Sequence, residues 1–160
     1  MEVGALTEAE LATNAATWEH INQVQHLLAK VIRDLQARSL LHDKSKLELP
    51  EASYFAEFTP KLRTLTYGSA EYKACLKELD YALKHHYAVN SHHPEHYSNG
   101  IAGMTLMDLV EMLADWKAAT MRHADGDLAK SLQINRERFG INDQLAGILE
   151  NTARTLGWVQ

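Results

Sequence analysis

The chain reads as an all-α protein, a compact bundle of about six or seven helices in a single domain spanning residues 1–160. Three observations predict this. Apolar residues recur at spacings of three, four and seven over long stretches, and strand-like alternation persists nowhere. Only three prolines and eight glycines interrupt 160 residues, too few for long linkers. Apolar residues make up 46% and charged residues 23%, the balance of a globular domain large enough to bury a core.

Residues 1–12 read as a lead-in with one helical turn at Thr7–Leu11. Thr13 or Asn14 caps the first long helix, which runs to about Arg38. Trp18, Ile21, Val24, Leu28, Val31, Ile32 and Leu35 form its core-facing stripe, with His20 beside them. A second, shorter helix carries Leu40-Leu41-His42-Asp43. Pro50 and the run Glu51–Phe58 start another, because proline suits a first turn. Thr59–Gly68 reads as a loop holding an irregular or helical piece. Ser69 caps the next helix, whose apolar side is Tyr72, Cys75, Leu76, Leu79, Ala82 and Leu83, and which ends on His85-His86. Tyr87–Gly103 is rich in turn formers: Asn90, Ser91, Pro94, Asn99, Gly100 and Gly103. Thr105 caps a helix over Leu106–His123, with Leu106, Leu109, Val110, Leu113 and Trp116 inside, and Asp125-Gly126-Asp127 ends it. Two last helices, Leu128–Phe139 and Asp143–Leu156, flank Gly140-Ile141-Asn142.

Several function classes are excluded. A net charge of −5 gives no electrostatic basis for general nucleic-acid binding. No apolar run approaches the ~18 residues of a membrane span. The start, from Met1 to Thr7, lacks a basic segment followed by an apolar one, so no signal peptide is expected. A single cysteine, Cys75, rules out an intrachain disulfide and a cysteine-rich zinc site, and fits a reducing, cytoplasmic setting.

The unusual feature is histidine. There are nine, eight of them between His20 and His96. His42 and Asp43 place an imidazole nitrogen beside a carboxylate oxygen, donors that suit a divalent metal. His20, the His42-Asp43 pair and Asp115 sit on three separate helices, and these four residues are the set expected to converge. His26 is a rival to His20 but lies on another helical face. Asp108, Glu111 and Asp115 are spaced by three and four, so they share a face. Asp115, near Leu113 and Trp116, is expected to point inward. Asp108 and Glu111 are either partners of histidine ring N–H groups or solvated acids.

Plainer readings stand beside these. His42-Asp43 also suits an exposed helix end, where a histidine favours the dipole. His92, His93 and His96 also suit a polar surface loop, and Lys46 a surface lysine. Tyr87 and Trp116 read as packing residues, and His123 with the two last helices as structural.

The order His20, His42-Asp43, Asp115 resembles the HD-domain superfamily of metal-dependent phosphohydrolases. Leu40-Leu-His-Asp-Lys-Ser-Lys46 is similar to that family's Leu-Leu-His-Asp-Ile-Gly-Lys pattern, with Ser45 where glycine is usual. More closely, the chain resembles a group of small HD-like bacterial and phage proteins. That likeness rests on His42-Asp-x-Ser-Lys46, His85-His86, Asn90-x-His-His93, Glu95-His96 and Glu111-Met-x-x-Asp-Trp116. It spans Trp18 to Trp116, and the helices of 128–160 are additional to it.

The resemblance implies a divalent ion (Mn, Mg, Ni, Zn, Co or Fe) held by His20, His42, Asp43 and Asp115. It implies His85 and His86 as ligands of a second ion, although the single histidine that two-metal members carry before such a pair is absent. It further implies hydrolysis of a small phosphorylated substrate, a nucleotide above all, through a metal-activated water. Asp43, Lys46 and His86 take the catalytic positions, and Lys46, His92, His93 and His96 the substrate-binding ones. Small HD proteins often form homo-oligomers, and the setting implied is the cytoplasm, the host's if phage-encoded. Two rival readings are an HD-type di-iron oxygenase and a non-enzymatic metal- or ligand-binding helical module.

Overall fold

The computed structural model describes residues 5–66, 69–122 and 126–159. Among them are seven α-helices, three 3₁₀ turns and no strand. The chain divides into two compact units, Met1–Leu40 and Leu41–Gln160, described in turn. No described helix is long and apolar enough to cross a membrane.

The first unit is one helix, α1, Glu8–Leu41. It begins before the expected start at Thr13 because Thr7 and Glu10 close a reciprocal cap. Thr7 N donates to Glu10 Oε2 at 2.7 Å, and Glu10 N donates to Thr7 Oγ1 at 3.3 Å. Thr13 instead lies inside the helix, its hydroxyl donating to the Ala9 carbonyl at 2.9 Å. Nothing between Glu8 and Leu41 breaks the helix, so the expected second helix at Leu40-Leu41 is its last turn, and His42-Asp43 fall just beyond. No residue of α1, the expected core-facing stripe included, is buried.

The second unit opens with a 3₁₀ turn, Lys44–Leu47, followed by α2, Glu51–Arg63. Helix α2 passes through Pro60, where a loop was expected, because Phe58 and Leu62 on either side pack into a core and hold the turn together. Residues 67–68 of that expected loop lie outside the described ones. Ser69 caps α3, Ala70–Glu78, its hydroxyl accepting from Tyr72 N at 3.1 Å.

The single helix expected to end on His85-His86 is two. Leu79, buried in the core, closes α3 and opens α4, Asp80–Val89. The break lets Cys75, Leu79 and Ala82 all meet Phe58 in one apolar cluster. Two more 3₁₀ turns, Pro94–His96 and Gly100–Gly103, cross the turn-rich segment.

Helix α5, Leu106–Thr120, starts at a complete capping box between Thr105 and Asp108. Its last residue is Thr120, with Met121 as the cap; residues 123–125, with the expected end at His123 and Asp125, lie outside the described ones. Helices α6, Leu128–Phe139, and α7, Asp143–Thr155, follow the expected pattern, with Gly140 left-handed at φ 61° between them. Leu109, Met112 and Leu113 of α5 form a second apolar cluster with Ile141 and Leu149. Helices α2 and α4 thus present polar residues from one core, and α5 from the other.

Candidate metal centre

Asp43, two residues beyond Leu41, has φ 56°, in the left-handed region that aspartate tolerates better than most side chains. The Lys46 N–H donates to the Asp43 carbonyl at 2.9 Å, closing the turn. The Lys46 ammonium donates to Asp43 Oδ2 at 2.6 Å.

The other oxygen faces imidazoles. Asp43 Oδ1 lies 3.2 Å from His86 Nε2 and 3.6 Å from His92 Nε2. His86 Nε2 and His93 Nε2 are 2.9 Å apart. Asp43, His86, His92 and His93 therefore each aim one donor atom into a common space, all within 4.8 Å of one another. A second group forms on the far side of Asp43. His42 Nε2 is 3.7 Å from Asp43 Oδ2 and 3.7 Å from Asp115 Oδ1.

Carboxylates behind the rings set their orientation. Glu111 Oε1 meets His42 Nδ1 at 2.9 Å and His92 Nδ1 at 3.2 Å. Glu51, with no exposed surface, meets His85 Nδ1 at 2.7 Å and His86 Nδ1 at 2.9 Å, and accepts from the Ser45 hydroxyl at 3.0 Å. Asn90 Nδ2 donates to that same hydroxyl at 2.9 Å. With Nδ1 engaged outward on Glu51 or Glu111, the Nε2 atoms of His42, His86 and His92 are left for the interior, the arrangement metal-ligating histidines show.

The segment carrying His92 and His93 is pinned by Asp108. This buried carboxylate accepts from Ser91 Oγ at 2.7 Å, Tyr97 OH at 2.9 Å and Thr105 Oγ1 at 2.6 Å. The acidic face of α5 thus divides its work. Asp108 holds the imidazole loop, Glu111 orients two rings, and Asp115 faces His42.

The charges follow from these neighbours. Asp115 beside it raises the His42 imidazole to about 9 against the opposing effect of burial, with Glu111 and Asp43 adding to the rise. Burial, then the His92 and His86 rings, lowers His93 to about 3, so it is neutral. Burial opposes ionisation of Asp43, but the facing His86 and His92 imidazoles and the Lys46 ammonium outweigh it and hold its carboxyl well below the usual range. Asp115 is likewise lowered, its burial offset by His42.

Asp43 Oδ1 and His92 Nε2 are buried and have no hydrogen-bond partner among the described residues. Each such orphan costs about 1–3 kcal/mol. A divalent cation would satisfy both. Donors held ~2.1 Å from one ion stand roughly 3.0 Å apart in an octahedron and roughly 3.4 Å apart in a tetrahedron. The observed separations of 2.9, 3.2 and 3.6 Å bracket those values. The donor set therefore fits a divalent metal.

A family model described as a family of unknown function (DUF5662) matches residues 9–155. The chain belongs to this family. The DUF5662 match takes in every donor and every supporting carboxylate named above. No curated protein and no solved structure matches the chain.

Of the residues singled out in this DUF5662 sequence, the structure brings together His42, Asp43, Asp115, His86 and Lys46. His92 and His93, expected at the substrate, each offer a ring nitrogen to the donor group around Asp43. His85 turns its Nδ1 to Glu51. His96 is exposed, its Nδ1 on the Tyr87 carbonyl at 2.8 Å, and joins none of the donor groups. His20 is an exposed residue of α1, in the first unit. Sequence reasoning missed Glu51, Ser45 and Asn90. One acid just after a proline reads as a first-turn helix residue, and nothing in its spacing says that it reaches two histidines far along the chain.

Proposed function

We propose that the protein is a divalent-metal-dependent phosphohydrolase acting on a nucleotide or a related phosphate ester. The observation that carries this reading is the convergence of Asp43 Oδ1 with the Nε2 atoms of His86, His92 and His93. Asp43, His86, His92 and His93 would hold one ion, and His42, Asp43 and Asp115 a second, with Asp43 common to both groups. Such an ion acidifies a water, from a pKa of ~15.7 to about 7 in favourable cases, and polarises a phosphoryl oxygen.

The remaining chemistry belongs to the chain. Lys46, its ammonium on Asp43 Oδ2 and 5.4 Å over the Phe55 ring, would bind a substrate phosphate. Glu51 and Glu111 keep the imidazoles oriented, and buried Asp108 keeps the loop in place. The order His42-Asp43 then Asp115, with Lys46 three residues after Asp43, supports the HD-like reading. The proposal places the activity in the cytoplasm.

The test is metal content together with release of phosphate or pyrophosphate from a nucleotide panel. Hydrolysis by the wild-type protein and its loss in His42→Ala and Asp43→Ala support the reading; hydrolysis retained in both variants overturns it. A second reading, a di-iron oxygenase, draws on the three imidazoles around one carboxylate, a donor set that suits iron. Two irons per chain with oxygen consumption would favour it; metal-dependent hydrolysis without oxygen consumption would refute it.

A further inference from the structure

We infer that Glu51 is a positioning residue, a buried carboxylate that fixes which nitrogen of His86 faces the metal centre. This inference rests on the metal-dependent reading above. Glu51 is the first residue of α2 and has no exposed surface. A carboxylate buried that deeply needs partners, and three surround it. His85 Nδ1 meets Oε1 at 2.7 Å, His86 Nδ1 meets Oε2 at 2.9 Å, and Ser45 Oγ donates to Oε2 at 3.0 Å.

An ionised carboxylate only accepts, so its contacts put the proton of each ring on Nδ1; for His86 they compete with the Asn90 amide, a donor whose Nδ2 lies 3.0 Å from the same nitrogen. For His86 that leaves the Nε2 lone pair pointing at Asp43 Oδ1, 3.2 Å away, and His93 Nε2, 2.9 Å away. A neutral imidazole with its proton on Nε2 would turn a donor toward the ion and could not ligate it. Glu51 therefore selects the ligating tautomer before any ion arrives. His85, next in sequence and more exposed, takes the other oxygen, so the carboxylate cannot swing away from His86. The Ser45 hydroxyl lies 3.2 Å from His86 Nδ1, beside the same oxygen, and Asn90 Nδ2 donates to that hydroxyl. Ser45 thus links the turn after Asp43 to the ring that faces it.

Two substitutions separate this role from a merely structural one. Glu51→Gln keeps the shape and one carbonyl, which the two donors His86 and Ser45 both need. The amide NH₂ then faces His85. Glu51→Leu removes both acceptors. The readouts are the imidazole tautomers in the metal-free protein, by long-range ¹H–¹⁵N correlation, and cobalt(II) affinity by titration.

The expected result is His86 protonated on Nδ1 in the wild-type protein and in Glu51→Gln, with His85 moving its proton to Nε2 in Glu51→Gln only. Cobalt affinity falls about 10–100-fold in Glu51→Leu, the usual effect of losing an outer partner, and stays near wild type in Glu51→Gln. A wild-type His86 protonated on Nε2, or wild-type cobalt affinity in Glu51→Leu, would overturn the inference. If Glu51→Leu does not fold, the wild-type and Glu51→Gln tautomers decide the matter. Failure of the wild-type protein to take up cobalt overturns the metal reading instead, and the tautomer of His86 still upholds or refutes the role of Glu51.

Discussion

His86 and His93 hold their Nε2 atoms 2.9 Å apart, with Asp43 Oδ1 3.2 Å from the first of them. Two imidazole nitrogens this close to each other and to a carboxylate repel unless a proton or a cation lies between them. A neutral His93 keeps one N–H, so in the metal-free protein a proton on its Nε2 bridges the two rings. A cation that ligates all of them removes the repulsion and satisfies the orphaned Asp43 Oδ1 and His92 Nε2 together.

Metal binding should therefore stabilise the fold. An ion at a hundred times its dissociation constant adds about 2.7 kcal/mol to the native state. For a chain of this length that raises Tm by roughly 5–10 °C. Differential scanning fluorimetry with Mn, Co, Ni or Zn, reversed by a chelator, measures it. No shift with any of these ions would contradict the prediction.

Asp43 combines a ligand with a left-handed backbone, and two substitutions divide those roles. Asparagine tolerates the left-handed region, so Asp43→Asn should spare the turn, cost the metal-free protein only the charge contacts with Lys46 and the imidazoles, and lose the metal-induced rise. Asp43→Val should do both kinds of damage, because a β-branched residue at positive φ costs about 1–2 kcal/mol or more. Equal metal-free stability of the two variants, followed by urea denaturation, would refute this division.

Lys46 should serve the substrate rather than the fold. Its ammonium on Asp43 Oδ2 is partly exposed and free to turn to a phosphate. A hydrogen bond to a charged group is worth about 1.5–3 kcal/mol, so Lys46→Met should raise KM for a phosphate ester roughly 10–100-fold. The metal-induced rise in Tm should persist. An unchanged KM would remove Lys46 from the site.

Asp108 should matter through stability. It accepts from Ser91, Tyr97 and Thr105 while buried, and completes the cap of α5. Asp108→Ala strands those donors and loses the cap, for a combined cost of about 2–4 kcal/mol by chemical denaturation. Because the same contacts hold the His92-His93 segment, metal affinity should fall as well. A loss under ~0.5 kcal/mol, the scale of a surface substitution, would show that the network carries no load.

The all-α class was legible because apolar spacing is a local property, and the caps at Ser69 and Thr105 were legible for the same reason. The start of α1 was legible too, in Thr7-Glu-Ala-Glu10, but the apolar stripe drew attention to Thr13. The break at Leu79 was hidden, since a leucine between two helical runs carries no breaker signal and only its burial in the core explains it. In the site, His42, Asp43 and Asp115 stood out as polar residues on apolar helices. Glu51 did not, because its partners lie more than thirty residues away and a first-turn acid is ordinary. His92 and His93 looked like loop histidines; their place beside Asp43 depends on Asp108 anchoring the loop, a tertiary contact with no local signature.

The most direct test of the metal centre is a crystal grown with cobalt or manganese and measured at that metal's absorption edge. An anomalous peak is expected among Asp43 Oδ1 and the Nε2 atoms of His86, His92 and His93, within bonding distance of each. Density showing those four atoms joined only by hydrogen bonds or water, with no anomalous signal, would contradict the account.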